Sequence, residues 1–141
     1  MQIRISKLII LLIGFLVTLM LLTKSFVIED KVISGYKLIF GTNNYNGYKI
    51  KFSIFYFLLI LLPMSAGIIQ LYITDPFSFL FSFMIYTLIF ILILVKNKIE
   101  MISLDSSEVK VVIVSLNTLS KTSLGVLFLG SLLSFIKMID L

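Results

Sequence analysis

Only 13% of the 141 residues are charged and 60% are hydrophobic, whereas a soluble domain carries about a quarter of its residues as charges; the chain is composed for lipid. With no Cys and no His, disulfides, thiol and imidazole catalysis, and haem or zinc sites built on those ligands are excluded. The net charge of +5 is scattered as single cations between apolar runs, a pattern suited to anionic headgroups, and no dense basic patch for nucleic acid forms.

The first apolar run is 8–23, LIILLIGFLVTLMLLT, preceded by Arg4 and Lys7 and followed by Lys24. No small-x-small cleavage site follows, so it reads as a retained anchor. At about 1.5 Å per residue it falls slightly short of a hydrocarbon core of about 30 Å, a gap that snorkelling lysines close. The long connection 24–51 comes next, with a strand expected from Phe26 to Ile33. It speaks one phrase twice, GYKLIF and GYKIKF. Tyr36, Leu38 and Phe40 alternate with Lys37 and Ile39, and Tyr48, Ile50 and Phe52 alternate with Lys49 and Lys51, the period of half-buried strands. The intervening GTNNYNG tolerates positive φ and permits a reversal. Two like strands are therefore expected to pair as a hairpin. Tyr36, Lys37, Tyr45, Tyr48, Lys49 and Lys51 form the candidate partner-binding group, Tyr supplying contact area and Lys electrostatic steering.

The second run, 52–74, carries Pro63 in LLPMSAG. A kink is expected there, with Ser65 or a neighbouring helix satisfying the freed carbonyl. Gln70 reads as a hydrogen-bonding residue near the interface. Asp75-Pro76 suits an N-cap and first helical position, opening the third run, 76–95, as the other arm of a tight hairpin. The connection 96–121 contains KIEMISLDSSEVKVVIVSL, with a turn signal at Asp105-Ser106-Ser107. Val111 to Val114 is apolar on both faces, which predicts burial in a sheet shared with strands of the first connection. The fourth run, 122–136, lies between Lys121 and Lys137; a longer parse would put Lys121 deep in the bilayer at roughly 2.5–3.5 kcal/mol.

Four spans put both chain ends on one side of the membrane and both long connections on the other. The expected fold is a membrane protein, mainly α, a four-transmembrane-helix bundle with a small antiparallel β-sheet formed by the two long loops on one side. Nine of the lysines (24, 31, 37, 49, 51, 96, 98, 110 and 121) fall in those loops, against Arg4, Lys7 and Lys137 opposite. Raw counting therefore points the loops inward. The first helix usually sets orientation, and its N-terminal flank is basic and acid-free while the loop beyond it holds Glu29 and Asp30. The reading adopted is a multi-pass cell-membrane protein with cytoplasmic termini. Small residues at spacing four, Gly14/Thr18, Ser78/Ser82 and Gly130/Ser134, with Gly67 in the second span, are expected at helix–helix contacts. No ionisable residue lies within a span, so a proton pathway is not expected, nor is any catalytic, metal or cofactor site. The role predicted is non-enzymatic: the bilayer as solvent and a protein partner held by the loops, as an accessory subunit, an immunity-like protector or a surface-contact protein. The alternative is a pore or transport component made by self-association through the small-residue faces.

The residues ISGYKLIFG followed by KFSIFYFLLILLPMSAG resemble small four-span bacterial membrane proteins of uncharacterised role, over residues 5 to 73. The resemblance implies a cytoplasmic N-terminus and an exposed loop, and it carries no activity. In outline the expected topology is similar to that of claudins, four helices with a sheet built from two loops. The claudin Trp and paired-Cys signature is absent from this chain.

Overall fold

The computed structural model describes residues 5–45, 47–74, 77–95 and 97–139. Among them are four helices long and apolar enough to cross a membrane: α1 (Ile5–Leu22), α3 (Ile54–Tyr72), α4 (Phe77–Leu94) and α5 (Thr118–Ile139). They close into a ring in which α1 packs on α3 and α5, and α4 packs on the same two neighbours. Apolar runs of this length form helices because a helix satisfies every backbone group within its own segment, the constraint that a bilayer core would impose. The Asp75-Pro76 start signal lies outside the described residues.

Polar side chains stitch the ring where apolar packing alone gives no direction. Thr18 Oγ1 on α1 donates to the Ile60 carbonyl, 2.9 Å away, in the turn ahead of Pro63, and Ser65 Oγ donates to the Leu62 carbonyl at 2.6 Å. Helix α3 runs through the proline with these hydroxyls beside it, one from a neighbouring helix and one from Ser65. The Tyr86 hydroxyl on α4 donates to the Ile10 carbonyl on α1 at 2.6 Å. Tyr86→Phe is expected to destabilise the bundle by about 1 kcal/mol or less, the scale of one interhelical hydrogen bond in a membrane; detergent-phase unfolding of the two proteins measures it.

Among the described residues, the segments between helices build one curled antiparallel sheet of six strands: β1 (Lys24–Ile28), β2 (Lys31–Ser34), β3 (Thr42–Tyr45), β4 (Tyr48–Ile50), β5 (Asn97–Ser103) and β6 (Val109–Leu116). Their order is β2-β1-β6-β5-β4-β3. The hairpin β5–β6 from the second connection thus sits in the middle, flanked by strands of the first. Phe26 pairs with Leu116 on one side and Ile50 with Met101 on the other. The reversal at Asp105 to Ser107 falls between β5 and β6, as expected. The concave face buries Phe26, Ile28, Ile33, Ile50, Met101, Val112 and Val114 in one continuous core with the bundle. The Phe26 and Tyr56 rings meet edge to face at 5.6 Å, joining sheet to α3.

Three expectations are corrected. The first copy of the repeat is not a strand but a short helix, α2 (Gly35–Phe40). Its buried residues are Gly35, Leu38 and Ile39, the i, i+3, i+4 spacing of a helical stripe, and Gly41 stops it at φ 80 with its N–H on the Lys37 carbonyl. The hairpin partner of β4 is instead Thr42–Tyr45, drawn from the expected linker, with Gly47 at φ 83 leading into β4. The single strand expected over Phe26 to Ile33 is two strands. Glu29 and Asp30, at φ 50 and 64, form the two-residue turn whose twist suits a hairpin, and Ile28 pairs with Lys31 across it. The fourth helix begins before Lys121, at Thr118. The Ser120 N–H donates to Asn117 Oδ1 at 3.1 Å and the Asn117 N–H to Ser120 Oγ at 2.9 Å, a reciprocal cap that leaves Lys121 exposed in the first turn rather than deep in the span.

Candidate functional site

Strand alternation sorts the sheet into two faces. Opposite the concave core, the register places Val27 beside Val32 and Ser115, Ile113 beside Lys98, Val111 beside Glu100, and Ile102 beside Val109 and Lys49. Among these, Val32, Val109, Val111 and Ile113 are between 48% and 57% exposed. The outward face is therefore a band of β-branched side chains crossing β2, β1, β6 and β5, edged on β5 and β4 by Lys98, Glu100 and Lys49, which are also exposed. Burial of a Val or Ile side chain is worth about 1.5–3 kcal/mol when complete, so covering this half-exposed band supplies several kcal/mol. The expected placing of Val111 to Val114 in a sheet shared with strands of the first connection holds, β6 pairing with β1 and β5; within it Val112 and Val114 are covered while Val111 and Ile113 stay open.

The far end of the concave face carries a polar contact. The Lys110 ammonium on β6 lies 5.5 Å from the Tyr48 ring centroid on β4 and forms an ion pair with Glu29 in the β1–β2 turn. The Glu29 carboxylate, accepting its hydrogen bond, holds the Lys110 pKa above the ordinary lysine value. Both side chains are well exposed, so the pair ties the turn to the sheet weakly.

No protein-family model, curated protein or solved structure matches this chain.

The six residues expected to form one recognition group are dispersed. Tyr36 and Lys37 are exposed on α2, outside the sheet. Tyr48 turns its ring to the concave side and Lys110, while Lys49, its neighbour in β4, points outward; Lys51 is exposed beyond the strand. Tyr45 pairs with Tyr48 in the β3–β4 ladder. Of the five whose side chains are described, Lys49 alone is aligned with the apolar band. The residues that sequence reasoning missed are Val32, Val109, Val111 and Ile113; a signal existed in the all-apolar run at Val111 to Val114, which a strand buried on one face explains as well as one buried on both.

The seven small residues, Gly14, Thr18, Gly67, Ser78, Ser82, Gly130 and Ser134, are all buried between the helices. Gly67 faces the α1 backbone at Leu11, and Gly130 faces Ile13 and the Tyr86 ring. Ser134 Oγ donates to the Gly130 carbonyl at 2.8 Å. Gln70 crosses from α3 to α4, its amide donating to the Ser78 carbonyl at 2.9 Å and to Ser82 Oγ, which donates onward to the Ala66 carbonyl at 3.2 Å. Among the described residues, no three His, Cys, Asp or Glu side chains gather in a metal-ligating group.

Proposed function

We propose that this chain is a non-enzymatic multi-pass protein of the cell membrane, its termini cytoplasmic, whose loop-built sheet docks a protein partner through the outward face. The observation that carries the reading is the uncovered band Val32, Val109, Val111 and Ile113 on a sheet that the four apolar helices hold at one end of the bundle. Contiguous apolar surface rimmed by charge is what marks a protein contact site, and Lys49, Lys98 and Glu100 supply the rim. An accessory subunit, an immunity-like protector and a surface-contact protein all use such a face. The pore alternative has less to build on, because the small-residue faces that would join subunits are occupied within the bundle.

Affinity capture from native membranes tests the reading. Val111→Lys with Ile113→Lys is expected to abolish recovery of the specific partner while leaving extraction and folding unchanged, since both side chains are half-exposed. Tyr36→Ala with Lys37→Ala, on α2, is expected to leave recovery intact. Equal recovery with the Val111/Ile113 pair changed would remove the outward face from the proposal.

A further inference from the structure

Where the sheet meets the first turn of α3, two cavities of about 370 and 420 Å³ adjoin, sharing Ile50, Lys51 and Phe52 in their walls. Lys98, Glu100 and Ser53 add to the polar lining of the first, and Lys49, Thr42 and Asn43 to that of the second. Three ammonium groups thus stand against one carboxylate. The ion pair Lys110–Glu29 lies elsewhere, and among the described residues none of the three lysines has a carboxylate partner. A surplus of positive charge along an open cleft is a charge pattern made for an anion.

The depth of the cleft selects the kind of anion. Its lower lip is Ile54, the first residue of a candidate membrane span, so the lysines stand at headgroup level when α3 crosses the bilayer. Phe40, Phe52 and Ile54 at the same mouth are 67%, 56% and 68% exposed, and Leu58, one turn further down α3, is 49% exposed. Cations above and an uninterrupted apolar flank below fit an amphiphile: acidic head in the cleft, acyl chain along Ile54 and Leu58. A free phosphate would use the lysines and leave the flank unused. We infer that the cleft bounded by Lys49, Lys51, Lys98 and Phe52 binds an anionic phospholipid of the leaflet on the sheet's side. The inference rests on the reading of α3 as a membrane span.

The test is native mass spectrometry of the detergent-extracted full chain with phosphatidylglycerol or phosphatidylcholine added. Phosphatidylglycerol is expected to be retained preferentially, and Lys49→Gln/Lys51→Gln/Lys98→Gln to lower its retention by about tenfold or more, given the attraction of each lysine near a headgroup surface. Lys24→Gln/Lys31→Gln/Lys121→Gln removes the same charge from exposed sites outside the cleft and is expected to change retention by less than about twofold. Should the triple variant fold poorly, Lys51→Gln alone touches both cavities, and a loss of about threefold is expected from it. Glycerol phosphate, a headgroup without tails, is expected not to compete. Equal loss in the two triple variants, equal retention of phosphatidylcholine, or full competition by glycerol phosphate overturns the lipid site. Recovery of the chain as a water-soluble protein without detergent would overturn instead the membrane reading beneath it.

Discussion

Gly14→Ala is expected to unfold a large share of the protein in mild detergent, whereas Gly125→Ala leaves it folded. A Cβ at position 14 would stand 2.2 Å from the Pro63 carbonyl oxygen and 3.0 Å from the Tyr86 hydroxyl. The nearer obstacle is backbone, so no rotamer change relieves it and α1 must move away from α3. Overpacking of this kind costs about 1–3 kcal/mol, and separation also stretches the Thr18 to Ile60 and Tyr86 to Ile10 hydrogen bonds, each worth roughly 0.6 kcal/mol in a membrane protein. At Gly125 an added Cβ meets nothing within 4 Å, and alanine gains up to about 1 kcal/mol of helix propensity. Thermal or SDS-induced unfolding followed by circular dichroism separates the two. A Gly14→Ala protein as stable as the parent would mean that α1 and α3 do not approach at this point.

The spans were legible because each is an uncharged apolar run of membrane-crossing length, a signal that depends on composition and not on neighbours. The sheet was legible as a whole because four candidate spans, read as crossings, oblige the two polar connections to share a side. What misled was the repeat. GYKLIF and GYKIKF differ at their fourth and fifth positions, and the fifth decides the structure: Ile39 in one copy, Lys51 in the other. With Ile39 beside Leu38, two adjacent side chains seek the core, which a helix corner satisfies and a strand cannot. With Lys51 beside Ile50, alternation holds and β4 forms. The turn at Glu29-Asp30 was hidden for another reason. Its residues adopt positive φ without glycine, and the pairing of Ile28 with Lys31 belongs to tertiary context. The start of α5 was readable in Asn117-Thr118-Leu119-Ser120, where serine takes the place usually held by Glu or Gln in a reciprocal cap.

The candidate surface was less legible than the fold because exposure of one strand face depends on what is absent above it. A run such as VVIV states only that its residues are apolar. The concave side of the sheet receives α2 and the bundle, and these use Val112 and Val114; no further segment among the described residues covers Val111 and Ile113. The dispersal of the tyrosines and lysines follows from the same geometry. Conversion of the first copy into α2 carries Tyr36 and Lys37 off the sheet, and alternation sends Tyr48 and Lys49 to opposite faces.

Single cysteines at Asn44 and Ser106 are expected to react with a membrane-impermeant maleimide from the same side of the membrane, and one at Lys137 from the other. The chain contains no cysteine of its own, so each substitution gives an unambiguous site, and Asn44 and Ser106 are both exposed. The result is all or none because the ladders decide it. β1 pairs with β6 and β4 with β5, and both pairings join the first connection to the second; neither can form if a bilayer lies between them, since its core leaves backbone groups at an open edge unsatisfied. With the termini cytoplasmic, Asn44→Cys and Ser106→Cys label on intact cells and Lys137→Cys only after permeabilisation. Labelling of both loop sites only after permeabilisation would reverse the orientation, place the docking face in the cytoplasm and keep the sheet. Labelling of Asn44→Cys and Ser106→Cys from opposite sides would break the sheet itself, and with it the outward face on which a partner is proposed to dock.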